Sequence, residues 1–129
     1  MKLTEKAALC AYAKMINTLS IDLLEPLLAE DFAYESQKVL QPLKSKQAFL
    51  EYMVPKLQTI SSSGTQVFAE MGTVDAYCKS QPCVILAQNN KSNLVAIVLA
   101  KVDAGKLKRL DLCIVPPPHT AQRSGDYPT

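Results

Sequence analysis

The side chains able to do chemistry are few, and their spacing suits neither a metal nor a nucleophile. Four cysteines stand at Cys10, Cys78, Cys83 and Cys113, and the single histidine is His119. Zinc sites draw on closely paired cysteines with histidines in reach. Here only Cys78 and Cys83 come close, while His119 lies far off behind Pro116-Pro117-Pro118. No metal and no cofactor are expected. Cys10 and Cys113 fall inside apolar patterns, where a free thiol packs as a small hydrophobe. A Cys78–Cys83 disulfide across a turn is the alternative, which a reducing compartment disfavours. A Ser-His-Asp arrangement meets the same distant histidine and lacks a nucleophile elbow. What remains are tyrosines, the carboxylates of Glu35 and Glu70, and two arginines, Arg109 and Arg123.

Bulk properties narrow the classes. A chain of 129 residues fits one domain that buries about two-thirds of its unfolded surface. Net charge is +2, and no dense basic patch is interleaved with aromatics, so no nucleic-acid partner is expected. No apolar run reaches the roughly 18 residues of a membrane span. Glu5 and Lys14 interrupt the apolar core that a signal peptide requires, which places the protein in the cytoplasm by expectation.

The elements that must position these groups follow from periodicity. Ala7, Ala8, Ala11, Tyr12, Met15, Ile16 and Leu19 form a helical stripe over Thr4–Thr18. Ser20 or Asp22 caps a second predicted helix, about 21–30, burying Leu23, Leu24, Leu27 and Leu28. From Phe32 to Ser36 the period falls to 2, with Phe32, Tyr34 and Ser36 on one face and Ala33 and Glu35 on the other. Gln37–Ser45, a loop or a short hairpin with Val39, Leu40 and Pro42, leads to a third helix over Lys46–Thr59, capped by Ser45, with a kink or end near Val54 ahead of Pro55. Ser61–Gly64 reads as a linker. The remainder reads as four antiparallel strands: Thr65–Val74 with Gly72 marking a bulge, Cys83–Gln88, Leu94–Val102 and Lys106–Val115. Pro116–Pro118 ends the sheet. The predicted class is α+β: three N-terminal helices packed on a curved, mostly antiparallel sheet, as one domain over 1–115 with a Pro-rich, flexible tail over 116–129.

This order resembles the NTF2-like superfamily, the cystatin-like α+β cone that includes SnoaL-like and ketosteroid-isomerase-like proteins. The residues carrying the resemblance are Tyr12, Asn17 and Asp22, then Leu28-Ala29-Glu30-Asp31, Tyr34-Glu35-Ser36, Pro42–Phe49 and the Asp103–Leu107 turn. It spans Thr4–Val115. The resemblance implies a cone-shaped cavity without naming an activity, because the superfamily hosts many. Against the ketosteroid-isomerase pattern, Tyr12 matches the tyrosine that donates to the enolate oxygen. Ser36 stands where the catalytic base would be, and Val98 where a second acid would be. That reaction needs a carboxylate base and a paired oxyanion hole, so isomerase chemistry is not expected. The family's epoxide-hydrolase-like cluster needs cavity arginines, which Arg109 and Arg123 are not placed to supply.

Strand alternation anchored on the Val98 match puts Leu94, Ala96, Val98 and Ala100 inward, together with Leu110, Leu112 and Ile114. Tyr12, Met15, Ile16, Phe49, Tyr52 and Met53 join from the helices, and Phe32, Tyr34 and Ser36 from the first strand. The expected ligand-binding set is Tyr12, Ile16, Phe32, Tyr34, Ser36, Phe49, Tyr52, Met53, Val98, Leu110 and Leu112, with Gln88 a further polar tip. It would hold a small apolar or amphipathic molecule. An enzyme using Tyr12 with a carboxylate, Glu35 or Glu70, is the second reading; Glu35 should face away unless a bulge turns it. A dimeric interaction domain with a filled cavity is the third. Val95, Ile97, Leu99 and Cys113 make the opposite sheet face apolar too, which calls for a cover and implies a homodimer through that face.

Overall fold

A computed structural model describes residues 3–37, 41–76 and 78–129; Val39 and Leu40 of the expected loop lie outside them. Helix α1 (Glu5–Thr18) starts where the Thr4 hydroxyl accepts from the Ala7 amide at 3.0 Å. It stops at Leu19, whose left-handed backbone returns its amide to the Met15 carbonyl. The second predicted helix does not form. Residues 21–27 make a single tight turn, with a 3-10 segment at Glu25–Leu27, and strand β1 (Leu28–Ser36) begins at once. Ten residues with a proline at their centre cannot repay the cost of helix nucleation, and the last strand offers Leu28 a ladder partner in Leu107. Leu24 and Leu28 are buried as expected, whereas Leu23 is 55% exposed.

Helix α2 (Lys46–Ser63) is capped by the Ser45 hydroxyl, 3.0 Å from the Ala48 amide. It runs through Pro55 and through the expected Ser61–Gly64 linker, ending at Gly64 with φ +74°. Pro55 and Glu51 are both exposed, so water can satisfy the Glu51 carbonyl that the proline leaves without a donor. Thr59, Ser62 and Ser63 hydroxyls donate back to the carbonyls of Pro55, Gln58 and Ile60, and buried Leu57 anchors the second half.

The sheet has six strands, ordered β1-β5-β4-β3-β2-β6. They continue as β2 (Val67–Ala76), β3 (Lys79–Gln88), β4 (Leu94–Asp103), β5 (Lys106–Cys113) and a short β6 (Gln122–Arg123). All neighbours are antiparallel except β1 and β5. Register shifts at Leu86/Ala87, Lys101/Val102 and Leu28/Ala33 add local twist and help curve the sheet. Gly72 is not a bulge: β2 and β3 pair without a break across it. A Cβ there would lie 2.6 Å from the Gln122 carbonyl oxygen, so this glycine lets the C-terminal backbone approach.

The two sheet faces form two apolar clusters. The concave face packs α1 and α2 over Phe32, Tyr34, Ala96, Val98, Ala100, Leu107, Leu110 and Leu112. The other holds Val74, Cys83, Ile85, Ile97, Leu99 and Cys113. Its cover comes from the chain itself. The segment expected to be a flexible tail turns at Pro118–Thr120 against β4, packs Ala121 on this cluster, adds β6 to the edge of β2 and buries Pro118 and Pro128. Glu70, 3% exposed, is the clasp. Its carboxylate accepts from Arg123 Nε at 2.7 Å, the Gly125 amide at 2.7 Å and the Tyr127 hydroxyl at 3.3 Å. The apolar face that called for a dimer is therefore buried within one chain.

Cys78 stands exposed at the β2–β3 turn and Cys83 is buried within β3; both are free thiols. Five residues of extended strand separate them by roughly 16 Å, well beyond disulfide reach. Among the described residues no helix is long and apolar enough to cross a membrane, and no three His, Cys, Asp or Glu side chains gather as a metal site.

Candidate functional site

One end of the cone is solid and the other is open. At the solid end Phe32 and Phe49 meet edge to face with centroids 4.9 Å apart, and Val98 and Leu110 are fully buried. These four residues, expected to line a ligand site, fill it instead. The open end is a cavity of about 230 Å3 bounded by α1, α2 and five strands. Tyr12, Ile16, Tyr34, Ser36, Tyr52, Met53 and Leu112 line it as expected, and Gln88 and Ala96 join them. An engineered cavity of about 150 Å3 holds benzene, so this space suits one substituted ring or a short branched chain.

Six further lining residues were not foreseen: Lys56, Ile60, Val67, Leu86, Ala87 and Val95. Lys56 and Ile60 follow Tyr52 at intervals of four along α2, so the helical continuation past Pro55 brings them to the mouth. Val95 turns inward because the register shift pairs Leu86 with Ala96 and Ala87 with Leu94. That leaves Val95 as the extra residue and reverses the expected facing of its neighbour: Leu94 packs with the outer cluster. Ile114, expected inward, lies past the end of β5 and is 40% exposed.

Three phenols, Tyr12, Tyr34 and Tyr52, are half of the polar side chains in the lining. Tyr12 is 1% exposed, yet its hydroxyl makes no hydrogen bond among the described residues. Those residues contain no sealed side-chain polar atom without a partner, so the Tyr12 hydroxyl opens on the cavity. Burial, reinforced by the Tyr34 and Tyr52 phenols, pushes its pKa well above the ordinary value. Burial likewise raises Tyr34, with Tyr52 adding to the shift and a hydrogen bond with Ser36 opposing it. The Tyr34 and Tyr52 rings lie 6.0 Å apart. Both shifted phenols therefore stay protonated at any ordinary pH, as donors that cannot take a proton.

The carboxylates are elsewhere. Glu35 faces away from the cavity, as strand alternation requires, and its Oε2 lies 2.8 Å from Arg109, which also chelates Asp111. Glu70 is on the outer face in the clasp. His119 is exposed in the turn outside β4. The sequence motif thus brings Tyr12 to the cavity without bringing it a base. Ser36 reaches the cavity while Val98 is sealed in the core, and neither is a carboxylate.

No protein-family model matches the chain, and no curated protein matches it by sequence. Solved structures match it by shape. An NTF2-like protein of unknown function from Cytophaga hutchinsonii superposes with a TM-score of 0.59 at 13% identity, over 90% of this chain and 96% of that one. A cystatin-fold protein from Novosphingobium aromaticivorans superposes at 0.60 and 11% identity, over 86% and 98%. The chain has an NTF2-like fold. Another protein of this NTF2-like shape, from Sinorhizobium meliloti and named as a candidate polyketide cyclase, superposes at 0.56 and 18% identity, over 80% and 90%. Identities this low carry the fold and leave the activity to the site itself.

Proposed function

We propose that this NTF2-like cone binds a compact, mostly apolar molecule that presents a hydrogen-bond acceptor to its tyrosines. The observation carrying the reading is the Tyr12 hydroxyl, which makes no hydrogen bond among the described residues and opens on the inner wall of a cavity of about 230 Å3. A hydroxyl that faces the cavity without a protein partner is answered there by water or by a ligand acceptor. The apolar walls, Ile16, Met53, Val67, Leu86 and Leu112, supply affinity through surface removed from water, at about 25 cal/mol per Å2. The second reading, an enzyme using Tyr12 with Glu35 or Glu70, is weakened because both carboxylates are held outside the cavity by arginines. The third reading fits the deep half of the cone, which is packed solid.

Native mass spectrometry of freshly purified protein tests the proposal. A retained small molecule, lost on acid denaturation and absent when Ala96→Leu fills the cavity, is the expected result. An unliganded chain that also fails to bind any ring compound at millimolar concentration would sink it.

A further inference from the structure

The lining of the cavity has a charge bias that the binding reading does not use. Its polar groups are Tyr12, Tyr34, Ser36, Tyr52, Lys56 and Gln88, with no carboxylate or imidazole among the lining residues. Its single formal charge is Lys56. That ammonium forms no ion pair among the described residues, whose pairs are Lys108–Asp31, Arg109 with Glu35 and Asp111, and Arg123–Glu70. Glu51, the acid one turn nearer the start of α2, accepts from Gln47 instead.

Lys56 does not extend into solvent at random. Its Nζ donates to the Tyr52 hydroxyl at 3.1 Å and sits 5.2 Å from the centre of the Tyr52 ring. The hydrogen bond orients the ammonium, so a positive charge is held at the rim of an apolar chamber. Tyr52, accepting from Lys56, keeps its own O–H to donate. Beyond the rim lie only donor phenols, a serine hydroxyl and an amide. A cationic ligand would meet Lys56 with no counter-charge in the lining, and a neutral hydrocarbon would leave the ammonium unused.

We propose that the ligand is an anion: a single apolar ring or short branched chain carrying a carboxylate, with the ring inside and the carboxylate at the rim between Lys56 and Tyr52. This rests on the binding reading above and narrows its ligand class. Charge-assisted hydrogen bonds are about twice as strong as neutral ones, and partial exposure of the rim moderates the gain.

Calorimetry with phenylacetate, phenylacetamide and phenethylamine tests it, because the three share a ring and differ in charge. Phenylacetate should bind about threefold or more tighter than the amide, the amine should bind weakest, and added salt should erode the preference. Lys56→Met should bring acid and amide to equal affinity, with the acid weakened more than the amide, and Lys56→Arg should restore the preference. Thermal melts of both variants, substituted at an exposed position, should match the parent. Equal binding of acid and amide by the parent protein, or a preference that survives Lys56→Met, would overturn the anion assignment and leave the pocket standing. Failure of all three probes to bind would overturn both.

Discussion

Replacing Tyr12 with phenylalanine separates a ligand-directed hydroxyl from a structural one, because the two roles predict opposite pairs of results. A buried phenol serving the fold would lose a hydrogen bond on substitution and cost about 1 kcal/mol of stability. The Tyr12 hydroxyl makes no hydrogen bond among the described residues and opens on the cavity, so Tyr12→Phe removes no internal bond and keeps the ring that packs in the core. Stability should stay within about 0.5 kcal/mol of the parent or rise slightly. Ligand affinity should fall. Losing a hydrogen bond to a neutral acceptor costs about 0.5–1.5 kcal/mol, roughly two- to twelvefold in Kd. Urea unfolding gives the first quantity, and calorimetric titration with 4-hydroxyphenylacetate, whose ring oxygen reaches inward while its carboxylate stays at the rim, gives the second. A variant at least 1 kcal/mol less stable that binds 4-hydroxyphenylacetate as tightly as the parent would refute the reasoning.

Gly72→Ala should loosen the C-terminal strap, since the new methyl would meet the Gln122 carbonyl at 2.6 Å and Ile85 Cδ1 at 2.7 Å. A loss of about 1–3 kcal/mol is expected, with Cys83 and Cys113 labelled by thiol reagents faster than in the parent, where only Cys78 is exposed; unchanged labelling would show that the strap does not shield them. Pro55→Ala should raise the melting temperature, because an amide at this exposed helical position can bond the Glu51 carbonyl; a lower melting temperature would mean the proline stabilises the fold. Stability should decline as pH rises above about 9. Burial lifts the Cys83 thiol to about 12 and raises Tyr12 and Tyr34, so the unfolded chain loses these protons first and unfolding is favoured. Tyr12→Phe should flatten the part of this limb above pH 10, as read by urea unfolding across the alkaline range; an unaltered limb would count against burial of the phenol.

Local patterning accounts for much of the architecture. The 3.6-residue stripe and its Thr4 cap set α1, Ser45 set the start of α2, and alternation over Phe32–Ser36 correctly turned Tyr34 and Ser36 inward and Glu35 outward. Such features depend on neighbours a few residues apart, which a sequence displays directly. Where local preference was weak, tertiary contact prevailed. Leu28 joined a strand because Leu107 offered it a ladder, and α2 outlasted Pro55 because its buried face docks on the core while the proline faces water.

The candidate site divides in the same way. Tyr12, Tyr34, Ser36 and Tyr52 could be named from their faces on single elements. Val95 could not, since its direction depends on a register shift between two strands, and the side on which Lys56 falls depends on whether the helix kinks, ends or runs straight through at Pro55. Whether an inward residue lines a space or fills one is a matter of how side chains from distant elements meet. Phe32, Phe49, Val98 and Leu110 close the deep end for that reason. The C-terminal segment makes the point most plainly. Its prolines and polar residues carry no strand pattern, and its place on the sheet comes from Glu70, from Gly72 and from an apolar face that water would otherwise meet. Sequence periodicity supplied the container; contacts between residues far apart in the chain decided its depth, its charge and its cover.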